Sequence, residues 1–184
     1  MNAPVLPPPP RKYTADDIFY LIDAGLVDRH ARFELIDGAL IPMSPKGRHH
    51  EIMRERIAEW AQTLWSRGLR SLQEHTLVLE DGLMLEPDFI LYDAARKIAD
   101  SPLKGNDLHL VIEVADSSLG YDLNTKAPLY AAQGVAECCV IDAVRGTTRV
   151  HRGPGPAGWA EVLEAAKGEA MAAACAPDAP FISG

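Results

Sequence analysis

Two acids sit inside apolar strands. Glu113 lies in Leu110-Val111-Ile112-Glu113-Val114, and Asp88 follows Pro87 in Leu85-Glu86-Pro87-Asp88-Phe89-Ile90-Leu91. An unpaired carboxylate in such a place costs several kcal/mol. A cation, a buried base, a proton or a strand end open to water must compensate it. Two such acids on neighbouring strands would repel each other unless they share a positive ion. A divalent metal fits, because hard cations prefer carboxylate oxygen. Lys126 stands at the start of a short helix directly after the strand of Glu113, with Tyr130 one turn on along the same face. A lysine beside a metal site can orient or polarise an attacking water and offset phosphate charge. Glu34, between Phe33 and Leu35, is a third candidate acid. Taken singly, each has a plainer reading. The strand acids could face water or form half of a structural ion pair, Lys126 could be a solvated helix residue, and Glu34 an outward hairpin residue. Their combination points to a site.

The elements that must position these residues are legible from periodicity and turn chemistry. Thr14–Leu26 reads as a helix, with Thr14 and Asp17 as a variant capping box and Ile18, Leu21 and Ile22 as its apolar stripe. Phe33–Met43 alternates around Asp37-Gly38, a hairpin signal. His49–Arg67 reads as a second helix, with Met53, Ile57, Trp60, Leu64 and Trp65 on one side and Gly68 as C-cap. Leu72–Leu79 and Leu83–Tyr92 read as two strands joined at Asp81-Gly82, followed by a loop over Ala94–Asp107. His109–Ala115 is a short apolar run of the kind buried on both sheet faces. A helix is expected over Thr125–Gln133, starting there because Pro128 is tolerated only in a first turn. Strands follow at Cys138–Ala143, Thr147–Arg152 and Trp159–Leu163; no element is assigned after Ala165. This order predicts an α/β fold, one mixed β-sheet flanked by helices.

Composition sets outer bounds. The chain has 184 residues, 47% hydrophobic and 24% charged, enough to bury a core in a single domain over residues 13–184. Residues 1–12 include four consecutive prolines and read as a disordered Pro-rich leader. The segment Met1–Pro10 has no basic region followed by an apolar core, so it does not read as a signal peptide. No apolar run reaches the roughly 18 residues of a membrane span. Cys138 and Cys139 are adjacent among three cysteines, which argues against a disulfide framework and for a reducing, cytoplasmic setting. The formal charge of −8 excludes global basic attraction to DNA or anionic lipid as the main driver. Lys46–Arg70 is locally +3, from six Lys and Arg against Glu51, Glu55 and Glu59. Arg48 and His50, near the start of that helix, are candidate phosphate contacts, although the same charges also suit a salt-bridged surface helix.

Pro87-Asp88 followed by Glu113 on a buried strand resembles the PD-(D/E)XK nuclease superfamily. Glu34 in FELIDG, His50 in HHEI, then EPDFILY, LVIEVADSS, YDLNTKAPLYAAQGV and ECCVID resemble its bacterial putative restriction endonuclease branch, long described as a domain of unknown function. The likeness spans about Tyr13 to Arg152. The superfamily usually places its lysine two positions after the strand acid, where this chain has Ala115. The branch places it on the next helix, where Lys126 matches. Cys139 stands where the branch often has Trp. The resemblance implies a restriction-endonuclease-like fold and metal-assisted hydrolysis of a DNA phosphodiester. It implies Asp88, Glu113 and the carbonyl of Ala115 as ligands of Mg²⁺ (or Mn²⁺), Lys126 as the aid to the water, and Glu34 as the residue completing the site. A homodimer would suit cutting both strands.

Two other readings compete. A catalytically inactive descendant, kept as a binding or regulatory module, is favoured by the −8 charge and by the absence of lysine at position 115. A metal-dependent hydrolase of small phosphate esters would use the same residues.

Overall fold

The computed structural model describes residues 11–183. The expected leader lies outside the described residues up to Pro10. Arg11 and Lys12 form ion pairs with Asp17 and Asp37, at 3.1 and 2.6 Å.

Helix α1 (Ala15–Asp23) starts at the capping box read from the sequence: Thr14 Oγ1 accepts from Asp17 N at 3.1 Å, and Asp17 Oδ2 accepts from Thr14 N at 3.0 Å. Strands β1 (Phe33–Ile36) and β2 (Ala39–Pro42) form the expected hairpin. Asp37 and Gly38 both have positive φ, 49° and 73°, as a tight hairpin turn demands. A β-carbon at Gly38 would stand 2.7 Å from Lys12 Cβ, so this turn also requires glycine. Helix α2 (Arg48–Thr63) ends in a 3₁₀ turn (Leu64–Arg67) capped by left-handed Gly68.

The next stretch departs from expectation. Leu72–Leu79 is not one strand but parts of two, β3 (Leu69–Gln73) and β4 (Leu77–Glu80). Leu83–Tyr92 likewise divides into β5 (Leu83–Leu85) and β6 (Phe89–Asp93). The break in the second falls at Glu86-Pro87-Asp88, where proline cannot donate to a ladder. Strands β4 and β5 form the predicted hairpin, while β3 pairs with β6 in a different sheet. The chain thus changes sheets twice, and Asp88 stands on the second corner.

Strand β7 (Leu108–Ala115) lies antiparallel to β6 and parallel to β8 (Glu137–Asp142). The crossover between β7 and β8 is a helix longer than predicted, and it begins before Thr125. It runs from α3 (Leu119–Tyr121) through a π turn (Asp122–Lys126) into α4 (Ala127–Ala132). Pro128 falls just after that wide turn, where the ladder has already shifted to i→i+5 bonding (Ala127 N to Asp122 O). The helix therefore absorbs proline without ending. Strands β9 (Thr147–Gly155) and β10 (Gly158–Ala165) close the main sheet, and β11 (Ala170–Met171) with β12 (Phe181–Ile182) make a small ribbon that the sequence did not suggest.

The main sheet has the order β10-β9-β8-β7-β6-β3, and a smaller antiparallel sheet the order β2-β1-β5-β4. On one face of the main sheet, Met53, Ile57 and Ala61 of α2 and Met171 and Phe181 of the C-terminal ribbon cover Phe89, Leu91, Leu110 and Ile112. On the other face, Ala127 and Tyr130 of α4 and Leu77 and Leu85 of the small sheet cover Ile90, Val111 and Val140. The period-2 alternation of β6 and β7 divides these two cores. Helix α1 packs Ala15 and Ile18 on Leu35 and Met84 of the small sheet.

Candidate active site

A cavity of about 280 Å³ opens where the corner at Asp88, the end of β7, the loop before α2 and the π turn meet. Glu34 of β1, Asp88, Glu113 of β7, His50 of α2 and Lys126 all line it, as does Asp122. The register Phe89↔Ile112 puts Asp88 and Glu113 on adjoining positions of paired strands, at the end where the sheet meets the cavity.

Lys126 is 3% exposed, and its Nζ is 2.8 Å from both Glu34 Oε1 and Glu113 Oε1. Tyrosines brace both acids: Tyr121 Oη donates to Glu34 Oε2 at 2.9 Å, and Tyr130 Oη to Glu113 Oε1 at 2.5 Å. The π turn carries Asp122 and Lys126, both buried. Ser118 Oγ donates to Asp122 Oδ2 at 2.6 Å. Asp88 is held separately. Its Oδ2 accepts from Val114 N at 2.8 Å, while Oδ1 meets His50 Nε2 at 2.8 Å and Lys46 Nζ at 3.2 Å.

The protonation pattern follows from this packing. Burial pushes Glu113 well above the ordinary glutamate value; Lys126 opposes the rise, and Asp122, Asp88 and Glu34 add to it. Burial likewise raises Asp122 against the pull of Lys126. Burial works against a charged Lys126, but Glu113, Glu34 and Asp122 outweigh it and hold the ammonium protonated. Burial would raise Asp88 too, yet His50, the Val114 amide and Lys46 bring it below its usual value.

Six carboxylates line the cavity against three permanent cations, Arg32, Lys46 and Lys126. One pair, Arg32 with Glu86 at 2.8 Å, is self-contained. The remaining acid excess is felt at Glu113. Among the described residues no group of three or more His, Cys, Asp or Glu is placed to hold a metal ion. Asp88 and Glu113, on adjoining positions of paired strands, are two oxygen donors of the kind a hard dication with part of its water shell takes.

The structure brings together Glu34, His50, Asp88, Glu113 and Lys126 as the sequence suggested. It does not bring Ala115 or Arg48. The Ala115 carbonyl accepts from Ala143 N at 2.8 Å, and Val114 lines the cavity instead. Arg48 is exposed in the first turn of α2, outside the lining. The N-terminus of α2 already faces an anion: a β-carbon built on Gly47 would lie 1.9 Å from Asp116 Oδ2, so that carboxylate rests directly against the glycine. Much of the expected +3 patch is also spent internally, Lys46 and Arg54 on Glu74 and Arg67 on Asp178. The sequence reading missed Asp122 and Tyr121. Asp122 precedes Lys126 by four positions, a same-face spacing that starting the helix at Thr125 hid.

Among curated proteins none matches the chain. Among solved structures, a protein titled a putative nuclease belonging to DUF820 from Anabaena variabilis ATCC 29413 superposes with a TM-score of 0.74 at 15% identity, covering 92% of this chain and 94% of the other. That likeness establishes the mixed-sheet nuclease-like fold. The type IIG restriction endonuclease BpuSI overlaps more loosely, with a TM-score of 0.41 and 13% identity over 77% of this chain and 15% of that one. The family described as Uma2, putative restriction endonuclease, matches residues 17–177, and the chain belongs to it.

Proposed function

We propose that the protein is a metal-dependent DNA endonuclease that hydrolyses phosphodiester bonds in this cavity. The observation that carries the reading is the surplus of carboxylates gathered around the buried, permanently charged Lys126. Asp88 and Glu113 would hold Mg²⁺ or Mn²⁺. Such an ion, when bound, lowers the pKa of a coordinated water and offsets charge on the phosphoryl oxygens.

The chain's own groups supply the rest. Lys126 stays protonated, so it serves as a fixed donor toward the attacking water or a phosphate oxygen rather than as a base. Glu34 and Glu113 fix its Nζ from two sides, and Tyr121 and Tyr130 fix those carboxylates. Asp122, which lines the cavity and is raised by burial, would take the proton that leaves the water. Ile41, Pro42 and Met43 give the cavity one apolar wall.

The −8 charge and the internally paired cations imply weak intrinsic DNA affinity. A two-fold dimer would add a second contact and cut both strands. No helix among the described residues is long and apolar enough to cross a membrane. All three cysteines are free, which agrees with a cytoplasmic site of action.

The deciding experiment is a plasmid-nicking assay with Mg²⁺ or Mn²⁺, wild type beside Asp88→Ala, Glu113→Ala and Lys126→Ala. Nicking by the wild type and a loss on the order of 100-fold or more in each variant is expected. Cleavage by the variants at the wild-type rate would assign the activity elsewhere. A non-catalytic module is the second reading, favoured by the ion pairs that Asp88 and Lys126 already make within the protein. Calorimetry separates the two, since that reading expects no divalent-ion binding dependent on Asp88.

A further inference from the structure

Asp88 is already well supplied with partners. Two donors converge on Oδ1 and one on Oδ2, which leaves one of its roughly four lone-pair positions open. A dication reaching that position would find the Lys46 ammonium at the other oxygen of the same carboxylate, like charge against like in a largely buried recess. The three donors differ in how easily they can leave. His50 is in α2, whose Met53 and Ile57 are locked in the core, and the Val114 amide is backbone of β7. Lys46 stands on the irregular stretch 43–47 between β2 and α2, at the end of a flexible four-carbon stem.

Lys46 also has a second berth. Its Nζ bonds the Glu74 carboxylate, which takes Arg54 Nη1 at 3.1 Å as well. Glu74 is not a cavity-lining residue. It follows β3 directly with φ at 50°, a left-handed conformation that a glutamate rarely adopts, and its amide donates to Asp88 O at 3.2 Å. A strained backbone thus presents an acid beside the cavity, within reach of the same ammonium. Lys46 can give up Asp88 without losing its partner.

We propose that Lys46 is the resident counter-ion of Asp88, a tethered cation that exchanges with the incoming dication and so sets the site's affinity for metal. The inference rests on the metal-dependent reading above. A lysine that merely ties the 43–47 stretch to β3 would contribute stability and leave metal affinity to the long-range field alone.

Mn²⁺ binding by calorimetry at fixed ionic strength, on wild type, Lys46→Met, Arg32→Met and Asp88→Ala, tests this. Arg32 lines the same cavity with the same charge but pairs with Glu86. Its loss therefore reports the field without removing a competitor. Lys46→Met is expected to bind Mn²⁺ about tenfold tighter than wild type, and clearly tighter than Arg32→Met. In the wild type, acetylation of Lys46 followed by mass spectrometry is expected to be slow without metal and to accelerate when Mg²⁺ is added, with exposed Lys167 as an unaffected reference. This second readout needs no variant to fold. Mn²⁺ binding that depends on Asp88, together with equal affinities for Lys46→Met and Arg32→Met and a Lys46 reactivity indifferent to Mg²⁺, would overturn the inference and leave the metal site standing. No Mn²⁺ binding by the wild type would remove both.

Discussion

The main sheet buries two acid–base clusters, and they are built on opposite plans. On β8 and β9, Glu137 and Arg152 are cross-strand partners. Glu137 is 1% exposed; its Oε2 accepts from Ala174 N at 2.7 Å and lies 3.4 Å from Arg152 Nε, while Arg152 Nη2 donates to Ala172 O at 2.8 Å. One acid meets one base, and the segment leading from β11 covers both. On β6 and β7 the acids outnumber the bases and the cluster opens to a cavity. Buried charge of the first kind ties the C-terminal segment to the sheet. Charge of the second kind is left unbalanced beside an open cavity, where burial raises Glu113 and Asp122 above their ordinary values.

The contrast can be broken at several points. The largest effect is expected from Lys126→Met, which leaves Glu34 and Glu113 buried without their shared cation; urea unfolding should show a loss of about 3–5 kcal/mol. Arg152→Met should cost less, about 2 kcal/mol, because part of that guanidinium meets water and the Ala174 amide still serves Glu137. Adding Glu137→Leu should recover most of that loss, and neither change should alter Mn²⁺ affinity. A drop in Mn²⁺ binding in Arg152→Met would show that the two clusters are not independent. Gly47→Ala should cost about 1 kcal/mol by pushing Asp116 away from the start of α2, read as a lower thermal midpoint.

The smallest effects are slopes with pH, and they have opposite signs on neighbouring residues. The Asp88 carboxyl is depressed on folding, so its contribution is full above its unfolded value near 3.8 and is lost as pH falls through the folded value. The stability advantage of wild type over Asp88→Asn should therefore shrink below about pH 4. Glu113 is raised, so the folded state loses stability as pH climbs from its unfolded value near 4.5 through the folded one. Glu113→Gln should flatten that decline. Parallel slopes in the two variants would mean that the acids share one environment after all.

Much of the site could be read before any coordinates, because acids in apolar strands violate a local rule and chains keep such violations where they are used. Glu113 and Asp88 announced themselves in that way, as did the capping box at Thr14 and the turn at Asp37-Gly38. The strand boundaries around Pro87 were less legible. An apolar run interrupted by one proline looks continuous to periodicity, yet the missing amide lets the chain leave one sheet and enter another. The early start of the helix at Leu119 is hidden for a related reason: proline ordinarily marks a first turn, whereas here a widened turn accommodates Pro128 in the interior. Asp122 was lost with that boundary. The ribbon at β11 and β12 carries no periodic signal at all, since its two-residue strands are held by Trp60 Nε1 donating to Ala179 O at 2.9 Å and by burial of Phe181, contacts between distant parts of the chain.

The π turn has one further bearing on how this protein can change over time. Such a turn amounts to a single residue inserted into an α-helix. Deleting one residue between Asp122 and Lys126 would restore ordinary winding with α3 and α4 still in line, and would change the spacing of the two side chains by one. Asp122 and Lys126 would no longer be four positions apart, while the sheet, the two cores and Tyr130 kept their places. A one-codon loss would thus take apart the Lys126 cluster and spare the scaffold.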